Sequence, residues 1–282
     1  MTTRPLPYSN RVLMVSPPSS LPTHDDRKTR LERLGRVAGV GFLFALFGVG
    51  GLILAGVVIP LAARRGADAR ALVAQRWIQR TLALYLAVGT RIRIWEIHAE
   101  GVEQLRATGQ LVIANHPSLL DVVLLLSFMP QADCVVKKTA WSNPMLRSIV
   151  GIAGYIPNDD GPQLVDACAE RLAAGRSVIL FPEGSRSPQR GLRAFQRGAA
   201  QVALKAGCPI LPVRLDCQPP ALKRGQPWYQ LPPEVLRFSL RVGRPVHAKE
   251  VTRADAPRAI AARQLTKWMQ DHFESEQRDA VA

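Results

Sequence analysis

From Val37 to Ala63 the chain runs 27 residues without a charged side chain, bounded by Arg36 on one side and Arg64 and Arg65 on the other. A bilayer core takes roughly 20 apolar residues as a helix, so this stretch can cross it with some tilt. It starts too far into the chain, and runs too long, for an ordinary cleaved signal peptide. A helix buried in a protein core is the competing reading. The flanks do not set an orientation: Arg27, Lys28, Arg30, Arg33 and Arg36 precede it, and Arg64, Arg65, Arg70, Arg76 and Arg80 follow. Balanced flanks suit either a single span or a helix that dips in and returns. Trp77 to Val88 is a second, shorter apolar helix, placed to be the return arm or to lie in the interface.

Before this segment, residues 1–26 are rich in Pro, Ser and Thr without periodicity and read as part of a mobile tail extending to about residue 35. After it, Arg91-Ile92-Arg93-Ile94-Trp95-Glu96-Ile97 alternates polar and apolar, predicting a half-exposed strand. Leu111-Val112-Ile113-Ala114 is a continuous apolar run, as in a buried strand. Further strand candidates are 134–136, 154–156, 178–181, 210–213 and 236–242, with helical patterns at 120–128, 144–152, 162–174 and 194–206. Strands alternating with helices predict an α/β fold: a mixed central sheet flanked by helices, preceded by a membrane-anchoring helix or helical hairpin. The segments divide as tail 1–35, anchor 36–88, catalytic domain 89–250 and a C-terminal amphipathic helix within 251–282. The loop 218–233 carries five prolines with Trp228 and Tyr229 and reads as a lid or a membrane-contacting loop.

The net charge of +15 suits a polyanionic partner such as an anionic lipid surface, a phosphorylated substrate or nucleic acid. No aromatic and basic interleaving marks a nucleic-acid binder, so nucleic acid is not expected. The cysteines, Cys134, Cys168, Cys208 and Cys217, fall at no metal-like spacing, and three of them sit in or beside apolar runs, predicting buried free thiols. The histidines are scattered, and no metal site is expected. Nothing in the sequence sets the oligomeric state.

Two polar segments carry the chemistry. Asn115-His116-Pro117-Ser118-Leu119-Leu120-Asp121 follows the buried strand at once. Pro117 ends the strand, Ser118 suits a helix N-cap, and Asp121 three residues on completes a capping-box spacing. The same turn can bring the His116 ring against the Asp121 carboxylate, which would leave the other ring nitrogen as a general base. Phe181-Pro182-Glu183-Gly184-Ser185-Arg186 is the second segment, again a strand running into a polar turn. Arg190, Arg193 and Arg197 follow; Arg193 and Arg197 are spaced to share a helix face, a density that suits phosphate.

The two segments, in this order and after an apolar anchor, resemble the lysophospholipid acyltransferase family, which includes the 1-acylglycerol-3-phosphate acyltransferases. The resemblance covers roughly residues 85–245, with Lys137 and Ile210-Leu211-Pro212-Val213 matching two weaker blocks. It implies acyl transfer from acyl-CoA or acyl carrier protein to a lipid hydroxyl, with no bound cofactor. By it, His116 is the base and Asp121 orients it; Lys137 and Asn115 are candidates for oxyanion stabilisation or positioning. Glu183, Gly184, Ser185, Arg186 and Arg193 would bind the acceptor or its phosphate. It also implies a place at a bacterial inner (cytoplasmic) membrane, with the catalytic domain on the cytoplasmic side and membrane lipid as partner.

One departure bears on the acceptor. Where glycerol-phosphate acyltransferases end their middle block in an Asp-Arg pair, this chain reads Gly154-Tyr155-Ile156-Pro157-Asn158-Asp159-Asp160. Asp160 reverses a charge that the family uses for phosphate, which points toward an unphosphorylated or glycolipid-like acceptor. The variant resembles acyltransferases associated with bacterial aryl-polyene lipids. A membrane-tethered ester or thioester hydrolase and a non-enzymatic binder of anionic lipid are the rival readings. The hydrolase lacks a Gly-x-Ser-x-Gly elbow.

Overall fold

The structure is a computed structural model that describes residues 24–58, 66–137, 141–142, 144–158, 161–188, 191–227 and 229–279. In chain order the elements are helix α1 (His24–Ile53, continued by a π-helical turn, Leu54–Val58) and α2 (Ala67–Arg91). There follow β1 (Trp95–Glu100), a 3-10 turn (Val102–Arg106), β2 (Leu111–Ala114), α3 (Asp121–Phe128), β3 (Ala132–Lys137), α4 (Pro144–Ile152) and β4 (Ile156–Asn158). The chain goes on through α5 (Pro162–Ala173), β5 (Ser177–Leu180), α6 (Gly198–Ala206), β6 (Ile210–Gln218), β7 (Leu236–Val242), α7 (Ala248–Val251) and α8 (Arg258–Asp279).

The strands form one sheet of order β1-β7-β6-β2-β5-β3-β4. Its neighbours are parallel except β6 and β7, so the sheet is mixed, as expected. β2 lies between β5 and β6 with all four residues buried, and its alternating side chains feed two cores. Val112 and Ala114 point to a layer built on α2 and α3, whereas Leu111 and Ile113 point to one built on α5, α6 and α8.

α1 and α2 form an antiparallel pair: Phe47 meets Tyr85 edge-on at 5.6 Å, Gly50 lies against Thr81, and Gly39 against Ile94. From Arg33 to Val57 α1 and its π turn are long and apolar enough to cross a membrane, and only 11% of the most apolar window is buried. Leu34, Phe42, Val49, Leu52, Ile53 and Val57 all stand exposed, which weighs against the core-helix reading, although Val40 and Leu43 are buried against the domain. The end of the uncharged stretch, 59–63, lies outside the described residues. α2 differs from the expectation of a return arm. It buries Ala74, Ile78, Leu82, Tyr85 and Leu86 in the domain core and so belongs to the sandwich itself.

Three boundaries move for identifiable reasons. The helix at His24 takes residues 24–35 out of the predicted tail; residues 1–23 are outside the described residues. The alternation at 91–94 is a helix end instead of a strand. The N–H of Arg93 donates to Thr90 O and that of Ile94 to Gly89 O, with Arg93 left-handed at φ 58°, and β1 begins only at Trp95. This is a Schellman C-cap, and its two isoleucines mimic a strand pattern. Gly89 is required there, because a Cβ would lie 2.0 Å from the Trp95 ring. Residues 194–197 fall outside α6, whose predicted first turn has its backbone donors drawn elsewhere: Phe195 N–H donates to Gln270 Oε1 and Gln196 N–H to Pro182 O.

A polar cluster fastens the frame. Asp133, fully buried at the start of β3, takes both arms of Arg176 at 2.6 Å and an N–H of Gln75 at 2.9 Å. Gln75 also donates to Ala153 O, so α2, β3 and the segment after α4 are tied together. All four cysteines are free and buried, as predicted. Burial pushes the thiols of Cys134, Cys168 and Cys217 up to about 12.

Candidate active site

β2 and β5 are neighbours, and both polar segments leave their carboxyl ends, so the sheet brings them together although 60 residues separate them. His116 Nδ1 lies 2.7 Å from Asp121 Oδ2. An ionised carboxylate only accepts, so Nδ1 carries the proton and Nε2 keeps its lone pair. Nε2 has no partner among the described residues, and His116 lines a cleft of about 1290 Å³. Phe181 stacks on the imidazole with centroids 4.4 Å apart, which fixes the ring plane.

Asp121 is fully buried and receives two further donors, Ser118 N–H at 2.7 Å and Ser118 Oγ–H at 2.6 Å. The expected cap is therefore present in altered form. α3 begins at Asp121, not after Ser118, and the Ser118 hydroxyl accepts from Leu120 N–H while donating to the carboxylate. These contacts fix Asp121 against His116 without a cation in the hydrogen-bond set.

The second segment turns tightly: Gly184 N–H donates to Phe181 O at 3.0 Å, with Gly184 at φ 66°. A Cβ there would meet Gln196 Nε2 at 2.8 Å, so glycine serves both conformation and close approach. Glu183 does not face the cleft as an acceptor ligand would. It is 3% exposed, and its oxygens take the N–H of His116, the hydroxyl of Ser187 and the N–H of Arg193. Its work is to strap the turn to the backbone of His116, a bond reinforced by Ser187 N–H donating to His116 O at 2.7 Å.

Asn115 likewise points inward. Its amide exchanges two 2.8 Å bonds with the backbone of Leu215, extending the β2–β6 pairing by a side chain. It is a positioning residue, and an oxyanion role does not fit its buried place. Lys137, at the exposed end of β3, does line the cleft, as do Gly184, Ser185 and Arg186. Arg186 Nη1 donates to Leu222 O at 2.9 Å. Burial lowers its pKa most, opposed by Asp121 and assisted by Arg224. Arg193 and Arg197 do not share a helix face: α6 starts at Gly198, and Arg193 lines an adjoining depression, its Nε bonded to Arg186 O. Arg190 and Asp160 lie outside the described residues; Asn158 and Gly161 line the cleft.

Sequence reasoning named Phe181 but missed its stacking on His116, and it missed Arg224, which lines the cleft from the loop after β6, and the strap by Glu183. The stacking had a partial signal, since Phe181 ends a predicted strand and opens the second polar segment. Arg224 gives no such signal, being one of two adjacent cations in a proline-rich loop.

The family model described as Acyltransferase matches residues 96–216. A chloroplastic 1-acyl-sn-glycerol-3-phosphate acyltransferase of Arabidopsis thaliana is 34% identical over 128 residues, 43% of this chain and 36% of that protein. The chain thus spans about a third of the length of this relative and of a chloroplastic one from Brassica napus. A Pseudomonas aeruginosa 1-acyl-sn-glycerol-3-phosphate acyltransferase is 27% identical over 197 residues, 67% of this chain and 71% of its own length. The crystal structure of the 1-acyl-sn-glycerophosphate acyltransferase PlsC from Thermotoga maritima superposes with a TM-score of 0.67 at 19% identity, covering 90% of this chain and 98% of that one, which shows a shared fold.

Proposed function

We propose that this chain, which belongs to the lysophospholipid acyltransferase family, moves an acyl group from a thioester to the hydroxyl of a lysophosphatidic-acid-like lipid. The observation that carries the reading is His116: Nδ1 held by a buried carboxylate at 2.7 Å, Nε2 open to a cleft edged by Lys137 and Arg186. Nε2 takes the proton of the acceptor hydroxyl as that oxygen attacks the thioester carbonyl. Asp121 stabilises the imidazolium so formed. The C–S bond then breaks, and the departing sulfur takes the proton back from Nε2, leaving ester and free thiol. Lys137 and backbone N–H groups are the donors available to the oxyanion. No acyl-enzyme is needed. Ser118, the nearest hydroxyl, is buried and spends its proton on Asp121, which speaks against the hydrolase reading.

The donor is acyl-CoA or acyl carrier protein. The cations along the cleft favour a phosphorylated acceptor over the neutral one suggested by Asp160. The exposed apolar side of α1 supports attachment to a membrane, with the domain on the cytoplasmic face of a bacterial inner membrane, where such donors are made. Membranes carrying the protein, given radiolabelled acyl-CoA and lysophosphatidic acid, should form phosphatidic acid, and His116→Ala should abolish it. Full activity in that variant would end the general-base reading.

A further inference from the structure

The loop between β6 and β7 is built where it meets the site. Gln226 N–H donates to Lys223 O at 3.1 Å, and Gly225 stands at φ 80°, the pattern of a type II turn with Arg224 at its second position. Four further bonds hold this turn in place. Lys223 N–H donates to Gln226 Oε1 at 3.1 Å, and Lys223 Nζ to Pro188 O at 3.1 Å. Leu222 O, one residue earlier, accepts from both Arg186 Nη1 and the N–H of Leu119, inside the His116–Asp121 turn. The residue that supports Arg186 is thus two positions from Arg224.

Arg224 itself is exposed and borders two spaces, the cleft with His116 and a neighbouring depression of about 970 Å³. That depression is lined by Arg193, Lys223 and Arg224 and by no carboxylate among the described residues. Neither Arg186 nor Arg224 has a carboxylate ion-pair partner among the described residues, and the acid closest in effect to Arg186, Asp121, is spent on His116 and Ser118. A solvated surface arginine would need none of this scaffolding. Two guanidinium groups that line the same cleft and repel one another are matched by a dianion with several acceptor oxygens.

We infer that Arg224 works with Arg186 as a two-guanidinium clamp on the phosphomonoester of the acceptor, an assignment that rests on the acyl-transfer reading above. Arg224 supplies positive charge to a site in whose sequence Asp160 reverses the charge expected. The enzyme then selects lysophosphatidic acid over monoacylglycerol because only the former fills the clamp.

The test is steady-state acyl transfer by the full-length protein to lysophosphatidic acid and, separately, to monoacylglycerol. Arg224→Ala should raise KM for lysophosphatidic acid by about 10- to 100-fold with kcat within about twofold, and leave KM for monoacylglycerol unmoved. Arg224→Lys should recover part of the loss, since it restores charge without the fork. An unchanged KM for lysophosphatidic acid overturns the clamp. So does an equal rise for both acceptors, which would mean a loop-shaping role, or a wild type that prefers monoacylglycerol. Equilibrium binding of lysophosphatidic acid and monoacylglycerol to the same proteins in nanodiscs separates this inference from the reading beneath it. If wild type transfers to neither acceptor yet binds the phosphorylated one more tightly, and Arg224→Ala loses that preference, the clamp stands and the base falls. Equal binding by both proteins removes the clamp whatever the turnover.

Discussion

Two buried carboxylates, Asp121 and Asp133, are equally shut off from solvent and are held in opposite ways. Asp133 meets the fork of Arg176 in two 2.6 Å bonds, so its charge is cancelled permanently. Asp121 meets a serine N–H, a serine hydroxyl and a histidine N–H. Its charge is matched only when His116 acquires a proton. A carboxylate paired with a cation holds a frame; one paired with a neutral imidazole favours the moment at which that imidazole becomes charged. The fold uses the first beneath β3 and the second at the end of β2.

The largest expected effect breaks the Asp121 side. Asp121→Asn puts an amide donor or a neutral carbonyl where the carboxylate was and withdraws support from the imidazolium. Acyl transfer should fall by about 10²- to 10⁴-fold, measured as initial rate with acyl-CoA, while thermal unfolding shifts little. Asp133→Asn should do the reverse, keeping most of the rate per folded molecule and losing stability. Equal rate losses in the two variants would erase the distinction.

Next comes the cation. Arg176→Ala leaves buried Asp133 with only the more distant Arg171, at 4.0 Å, and the amide of Gln75, which costs up to about 3–5 kcal/mol of stability, read by denaturant unfolding. Arg186, whose guanidinium is bonded to Leu222 O and not to Asp121, should give a much smaller loss of stability when truncated. The strap gives a third, smaller effect. Gly184→Ala forces a Cβ onto a left-handed residue and against Gln196, at a cost of about 1–2 kcal/mol. Because Glu183 ties the same turn to His116, the rate should drop with it. A Gly184→Ala protein of unchanged stability and rate would show that the turn does not need its left-handed form.

These contrasts explain what the sequence discloses and what it hides. The His116–Asp121 pair is legible because one short turn holds both partners, and the Phe181–Arg186 segment because a strand feeds it directly. Buried β2 and the exposed α1 are legible because an uninterrupted apolar run has few structural meanings. The Asp133–Arg176–Gln75 cluster joins residues 58 and 43 positions apart, and no local pattern reports a contact made only by folding. Glu183 and Asn115 mislead for a related reason. Polar residues beside a catalytic segment suggest ligand contact, yet here their polar atoms are consumed by backbone groups that the sheet brings to them. Arg224 depends on a loop conformation that composition does not encode.

The smallest effect is also the most selective, because each carboxylate has a thiol that feels it. Burial is the main reason that the Cys134 and Cys217 thiols are pushed up to about 12, against a backbone hydrogen bond at Ala221 in the case of Cys217; among neighbouring charges Cys134 feels Asp133 most and Cys217 feels Asp121 most. A nearby anion disfavours thiolate, so its removal lowers the thiol pKa and raises the reactive fraction at fixed pH. At pH 8 a thiol at about 12 is roughly one part in 10⁴ thiolate, so neither cysteine should react appreciably with iodoacetamide in the native wild type. Asp121→Asn should speed labelling of Cys217, by less than about tenfold because burial still dominates, and leave Cys134 as it was. Asp133→Asn should do the converse. Peptide mass spectrometry after timed alkylation reads both sites in one sample. If Cys134 accelerates as much as Cys217 in Asp121→Asn, the domain has loosened as a whole, and the two carboxylates are not the separate devices that their hydrogen bonds describe.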